Sequence, residues 1–136
     1  MNARERAVVR SINRQRAHHG LGHVRGSAAL ARAADYHSWE MLDANYFAHE
    51  SRGGGPFEAR VRRFTRRRAL GETLAMLGGG CRRGMATRVV RMWMNSPGHR
   101  AILLSPAFRR VGIGARAGSL GSGRACVVTA DFASRR

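Results

Sequence analysis

Lysine is absent from this chain, although its 25 basic residues outnumber its 8 acidic ones and give a formal net charge of +17. Every basic side chain is therefore an arginine. That uniformity is typical of a biased codon composition rather than of a nucleic-acid site selected residue by residue. We expect attraction to anionic polymers, cell-envelope components or lipid head groups, and no sequence-specific nucleic-acid binding.

The densest basic run lies between Arg60 and Arg68 and contains six arginines. Phe57, Val61 and Phe64 within and before it fall at i, i+4 and i+7, and Pro56 suits a first helical turn. The pattern predicts one helix that buries three apolar groups and leaves its arginines in solvent.

Long hydrophobic runs are also absent. No stretch of about 18 apolar residues occurs, so the sequence predicts no transmembrane segment. The opening residues MNARERAVVR lack the apolar segment of a secretory signal peptide. No linker or change of composition interrupts the chain, which predicts one domain over residues 1–136.

Cysteine is scarce, with only Cys81 and Cys126 present. Neither has a second thiol nearby in the sequence, so the spacing matches no local metal or redox motif. We predict that they form a disulfide, which would stabilise the fold by about 4 kcal/mol because it closes a long loop. Two buried free thiols are the alternative.

Periodicity predicts alternating helices and strands. A helix from about Arg4 to His19 is expected to end at Gly20, and Ser27 caps a second helix that ends near Asn45. A third helix carries the buried stripe that ends in Trp93, and a short helical turn starts at Pro97. Two alternating strands follow, Val111–Ala115 and Cys126–Phe132, joined by the glycine-rich segment GSLGSG. The pattern fits an α+β fold, a three-layer α-β-α sandwich.

Two separated histidine motifs are the most informative positive feature. They read NYFAHES around His49 and MWMNSPGHRAIL around His99, with LGETLA carrying Glu72 between them. His49 and His99 each lie next to turn-forming residues, where side chains can face a cleft. His37, in contrast, lies on a partly apolar helical stripe and is interpreted as a core histidine, and the cluster of His18, His19 and His23 is interpreted as solvent-exposed.

Taken in this order, the motifs resemble the CAP superfamily, which includes cysteine-rich secretory, antigen 5 and pathogenesis-related 1 proteins. The likeness is greatest to its bacterial, SCP-like branch and covers nearly the whole chain. The turn SPGHR after a helical tryptophan is the most specific piece. The resemblance implies the three-layer α-β-α fold and a secreted or cell-envelope location. A cytoplasmic location stays open because no signal peptide is visible.

The chain departs from the family pattern around the expected cavity. Thr73 stands where asparagine usually follows the GE pair, and Ile102 also differs from bacterial relatives. Many eukaryotic members carry a second acidic residue just after the helical tryptophan, but here the sequence reads Met94, Asn95, Ser96. The family's cavity of two histidines and two carboxylates is therefore reduced to His49, Glu72 and His99.

Three functions are possible for His49, Glu72 and His99. His49 and His99 are predicted ligands of a divalent metal such as zinc, although the catalytic helix motif HExxH is absent and no cofactor is required. A hydrolase is the second possibility, with Glu72 orienting a histidine base and Ser51 as the nearest nucleophile. The third is ligand binding without chemistry. The resemblance implies lipid, metal or peptidase functions without choosing, and we predict an extracellular binding module with weak metal or lipid binding.

Overall fold

The computed structural model describes residues 1–136 as one layered α+β domain. Five helices and four strands follow one another along the chain. They are α1 (Ala3–His18), β1 (Arg25–Gly26), α2 (Ala28–Ala44), α3 (Phe57–Val61), β2 (Leu70–Gly78), α4 (Met85–Met94), α5 (Pro97–Leu103), β3 (Arg110–Leu120) and β4 (Gly123–Ala133). None of the helices combines the length and the apolar character that a bilayer crossing requires.

The four strands form one sheet in the order β1-β3-β4-β2. Strands β3 and β4 make an antiparallel hairpin, β2 pairs antiparallel with β4, and the short β1 runs parallel to β3. Helix α2 packs on one face of the sheet, and α1 and α4 contribute to the main hydrophobic core on the other face. This arrangement confirms the predicted three-layer α-β-α fold.

Helix α2 lies unusually close to the sheet, because two glycines of β3 face it. A Cβ atom built on Gly112 would lie 2.0 Å from the backbone nitrogen of Ala31, and one on Gly114 would lie 2.3 Å from that of Asp35. No real side chain tolerates such contacts. Glycine at these positions therefore sets the spacing of the layer in which the functional residues lie.

Several helix ends agree with the sequence-based predictions. The Ser27 side chain accepts a hydrogen bond from the amide of Leu30 at the start of α2, and Asn45 ends that helix in the left-handed conformation at φ 55°. Gly20 after α1 also has a positive φ of 71°. These local signals predicted the ends well because capping depends on neighbouring residues only.

The predicted helix through the arginine run is too long, and its predicted exposure is wrong for one arginine. The three apolar residues Phe57, Val61 and Phe64 do pack in one cluster, as predicted. Helix α3 ends at Val61, and the following residues form turns and extended backbone. Arg60 is only 2% exposed rather than solvated. A helix prediction assumes that charged side chains face water, and it fails here because the fold supplies buried carboxylates to Arg60.

Strand β2 was not predicted, although it carries Glu72. Seven of its residues form the run Gly71–Leu77, and all but Met76 are buried. A strand covered on both faces shows no alternation of apolar and polar residues, so the period-2 signal is lost.

The predicted disulfide is present. Cys81 and Cys126 are bonded with their Cα atoms 4.8 Å apart, and no free cysteine remains. The bridge joins β4 to the loop that precedes α4. It therefore ties the central hairpin to the helix that carries Trp93.

Trp93 is buried between α4 and the sheet, as the sequence predicts. It is 1% exposed, and its indole nitrogen donates a hydrogen bond of 2.9 Å to the carbonyl oxygen of Leu74 in β2. The ring thus contributes both apolar contact and a bond that fixes the helix against the strand.

We predict that Trp93→Ala lowers the free energy of unfolding by about 3–5 kcal/mol, because it leaves a large cavity and an unpaired carbonyl. Chemical denaturation measures the change. Met92→Ala, at an exposed neighbour on the same helix, is the control and should change stability by less than about 1 kcal/mol. Equal stability of both variants would contradict the assigned core.

Candidate functional site

Glu72 lies in β2 under helix α2 and is almost completely buried, with 2% of its surface exposed. In the sheet it stands directly opposite Asp131 of β4. Paired residues of an antiparallel ladder project to the same face. The two carboxyl groups therefore share the narrow layer between the sheet and α2.

Arg60 is the cation that balances Glu72. Its Nη2 contacts Glu72 Oε2 in a buried ion pair, and its Nη1 lies 3.8 Å from Glu40 Oε1. Nη1 also donates hydrogen bonds to the carbonyl oxygen of His49 at 3.0 Å and to Ser51 Oγ at 3.1 Å. Arg60 thus joins the buried carboxylate to the loop that carries the exposed histidine.

His49 occupies the boundary between this buried layer and solvent. Its Nδ1 lies 2.9 Å from Glu72 Oε1, and its side chain is 45% exposed. Since a carboxylate only accepts, Nδ1 donates, and Nε2 has no hydrogen-bond partner within the protein. The hydrogen bond to Glu72 is the main cause that raises the pKa of His49 above its ordinary value.

His99 lies in the short helix α5. Partial burial lowers the pKa of its imidazole, and the charge of His49 lowers it further. The His99 side chain makes no hydrogen bond within the protein. His49 is therefore fixed by a carboxylate, whereas His99 has no hydrogen-bond partner within the protein.

Asp131 is a buried carboxyl group that the sequence analysis missed. Neither of its oxygens has a hydrogen-bond donor nearby. Burial, and then the charge of Glu72, raise the pKa of Asp131 well above its ordinary value. A protonated Asp131 can donate its hydroxyl to Glu72, which explains how two carboxyl groups share one buried layer.

The pKa of Glu72 moves in the opposite direction. Burial alone would raise it, but hydrogen bonds from His49 and Asp131 and the charge of Arg60 outweigh burial and lower it. Glu72 is therefore the ionised member of the carboxyl pair, and Asp131 is the neutral one.

His37 and Glu40 complete the buried polar layer from helix α2. His37 Nε2 lies 2.8 Å from the carbonyl oxygen of Ala48, and its Nδ1 lies 2.6 Å from Glu40 Oε1. Both ring nitrogens are satisfied, which confirms that His37 is a buried, hydrogen-bonded core histidine. The bond to Ala48 anchors the backbone next to His49.

The arrangement limits the chemistry that the site can perform. No group of three or more histidine, cysteine, aspartate or glutamate side chains is arranged to hold a metal ion. Ser51 Oγ accepts a hydrogen bond from Arg60 and contacts no imidazole. The Ser51 backbone instead closes a turn with Gly54 and Gly55, as expected for a serine before a glycine-rich loop.

Arg60 and Asp131 are the site residues that sequence reasoning missed. The sequence analysis expects Arg60 on a solvated face and does not name Asp131 as a site residue. One signal was available: Asp131 lies between apolar residues in VVTADFA, and a carboxylate within a buried strand needs a partner.

The model of the CAP family of cysteine-rich secretory proteins matches residues 9–132. The Bacillus subtilis protein YkwD is 34% identical over 117 residues, which is 84% of this chain and 43% of that protein. The B. subtilis membrane protein YlbC is 31% identical over 113 residues, which is 81% of this chain and 31% of that protein. The chain thus spans less than half the length of these curated relatives.

Solved structures show the same fold. An extracellular SCP-domain protein from Bacillus anthracis superposes with a TM-score of 0.79 and 27% identity, covering 98% of this chain and 41% of that one. An outer surface protein from Borrelia burgdorferi also gives a TM-score of 0.79, at 19% identity, covering 98% of this chain and 93% of that one. With the family match over nearly the whole length, the fold and the histidine motifs lead to one conclusion: this chain belongs to the CAP family of cysteine-rich secretory proteins.

Proposed function

We propose that this chain is an extracellular binding module whose ligand site is formed by His49, Glu72 and His99. The observation that carries the proposal is the buried ion pair of Glu72 with Arg60, which fixes the carboxylate that holds His49 at the surface. Relatives described as extracellular and outer-surface proteins support the location.

A divalent metal such as zinc is the proposed ligand of the two imidazoles. The carboxylate–histidine contact at Nδ1 is typical of metal-binding histidines, because it orients the ring and leaves Nε2 for the metal. Glu72 itself is engaged by Arg60 and His49, so His49 and His99 would share the ion with solvent. Two protein ligands give weak binding, in keeping with a module that requires no cofactor.

A hydrolase using the same residues is the alternative. It would need water as the nucleophile, because Ser51 is bonded to Arg60 and has no imidazole base. These contacts favour binding over catalysis.

The proposed binding site for a lipid chain is separate from the histidine site. A groove of about 350 Å³ lies between the start of α1 and the start of α4. Its apolar walls come from Ala3, Ala7 and Met85, and Arg82 and Arg83 line it beside them. This composition suits an apolar chain with an anionic head group.

We predict that calorimetry at pH 7.5 detects weak zinc binding to the wild type, and that both His49→Ala and His99→Ala abolish it. Each variant removes one of only two protein ligands. His23→Ala, which removes an imidazole from the loop after α1, is the matched control and should bind zinc like the wild type.

Equal binding by the His49 and His99 variants would place the metal at the cluster of His18, His19 and His23 and contradict the proposal. The same proteins should turn over no peptide or ester substrate with zinc present. Reproducible hydrolysis that His99→Ala abolishes would establish the alternative instead.

We predict that an NMR titration shows a raised pKa for His49, and that Glu72→Gln lowers it, because the amide removes the charge that stabilises the imidazolium. Asp43→Asn removes an exposed carboxylate elsewhere and should leave the His49 pKa unchanged. If Glu72→Gln also leaves it unchanged, the assigned contact is wrong.

The raised pKa of His49 determines how stability and zinc affinity should change with pH. Protonated His49 favours the folded state, so its contribution to stability is complete below the unfolded-state pKa and is lost as pH rises through the folded-state pKa. Zinc needs the neutral ring, so zinc affinity should fall as pH drops through the raised pKa, above the ordinary histidine value of about 6.5.

A further inference from the structure

The outward face of helix α2 carries two large aromatic side chains that remain partly exposed to solvent. Tyr36 is 37% exposed and Trp39 is 40% exposed, and their ring centres lie 5.7 Å apart. The other tryptophan, Trp93, is buried. Neighbouring exposed aromatic rings on a rigid helix are a common feature of recognition surfaces.

Two arginines stack on these rings. The guanidinium carbon of Arg52 lies 5.5 Å from the centre of the Trp39 ring, and that of Arg63 lies 5.8 Å from the centre of the Tyr36 ring. A cation–π contact holds a guanidinium in place while its N–H groups can still bind an anion. Arg63 has no carboxylate within ion-pairing distance, so its charge is unbalanced locally.

Three adjoining depressions run along this face. One of about 530 Å³ and one of about 490 Å³ lie on either side of Trp39 and share Arg116. A third, of about 320 Å³, adjoins the second at Tyr36 and is lined by Arg52 and Arg63. We call this surface, formed by Arg32, Tyr36, Trp39, Arg52, Arg63 and Arg116, the aromatic–arginine groove.

Two carboxylates pair with guanidinium groups in the groove. Asp35 binds Arg116 through two hydrogen bonds of 2.8 and 2.9 Å, and Asp43 pairs with Arg52. The groove therefore offers acceptors for hydroxyl groups as well as cations for anions. A nucleic acid has a phosphate at every nucleotide but few hydroxyl donors for these aspartates, whereas a sugar chain offers several hydroxyls on each ring.

We propose that the aromatic–arginine groove binds an acidic polysaccharide whose sugar rings carry carboxylates. The apolar face of a sugar ring can stack on Trp39 or Tyr36, its carboxylate can bind Arg63, and its hydroxyls can donate to Asp35 and Asp43. This surface lies on the outer side of α2, and its role does not depend on the metal site of His49 and His99.

Calorimetry with polygalacturonate oligomers at physiological salt tests the proposal on the whole chain. We expect Trp39→Ala to weaken binding about tenfold, because it removes a stacking platform without changing the charge. Trp39→Phe keeps an aromatic ring and should retain most of the affinity. Thermal unfolding confirms that each variant is folded, as expected for a change at an exposed side chain.

A pair of charge-matched variants separates a built site from general attraction to a basic protein. Arg63→Gln removes a charge from the groove, and Arg88→Gln removes the same charge from the exposed side of α4, in the layer on the other face of the sheet. We expect Arg63→Gln to weaken binding about threefold more than Arg88→Gln. Equal effects of the two, or an unchanged affinity of Trp39→Ala, would overturn the proposal.

Three further probes define the occupant. Neutral dextran should not bind, and an oligothymidylate of similar length or vesicles containing phosphatidylglycerol should bind without dependence on Trp39. If either of the last two binds more tightly than polygalacturonate and loses that affinity in Trp39→Ala, the groove serves a different partner and the polysaccharide proposal is wrong. Tight binding of dextran would likewise contradict it.

Discussion

The buried ion pair between Arg60 and Glu72 is the interaction on which the site depends. Removing a carboxylate from water is costly unless a cation and hydrogen bonds compensate it, and here Arg60, His49 and a protonated Asp131 supply that compensation. Arg60 also holds the backbone of His49 and the hydroxyl of Ser51. One guanidinium therefore fixes both the carboxylate and the loop that presents the exposed imidazole.

The space for this polar layer is set by the glycines of β3. Helix α2 approaches Gly112 and Gly114 so closely that it brings His37 and Glu40 down onto the sheet beside Glu72. The inner side of α2 is consequently occupied by the polar layer, while its outer side carries Tyr36 and Trp39. The same helix thus connects a buried electrostatic site with an exposed aromatic surface.

Local signals in the sequence predicted much of the fold but not the burial of two arginines. The ends of α1 and α2 follow from Gly20, Ser27 and Asn45, since capping is decided by nearby residues. Arg60 was expected in solvent, because burial of an arginine depends on partners that only the tertiary fold brings near. Arg16 shows the same effect: it is fully buried in α1 without a carboxylate partner, and its guanidinium donates instead to the carbonyl oxygens of Gly22, Leu103, Ser105 and Phe108. The sequence motifs named His49, Glu72 and His99, yet no pattern could reveal that Asp131 lies opposite Glu72, because that register is set by the pairing of β2 with β4.

A double-mutant cycle on Arg60 and Glu72 tests the central claim most directly. Chemical denaturation would give the free energies of unfolding of Arg60→Met, Glu72→Gln and the double variant. Each single change should cost about 3–5 kcal/mol because it leaves a buried charge without its main partner, and the double variant should cost much less than their sum. Additive losses would show that the two side chains act independently and would contradict the account.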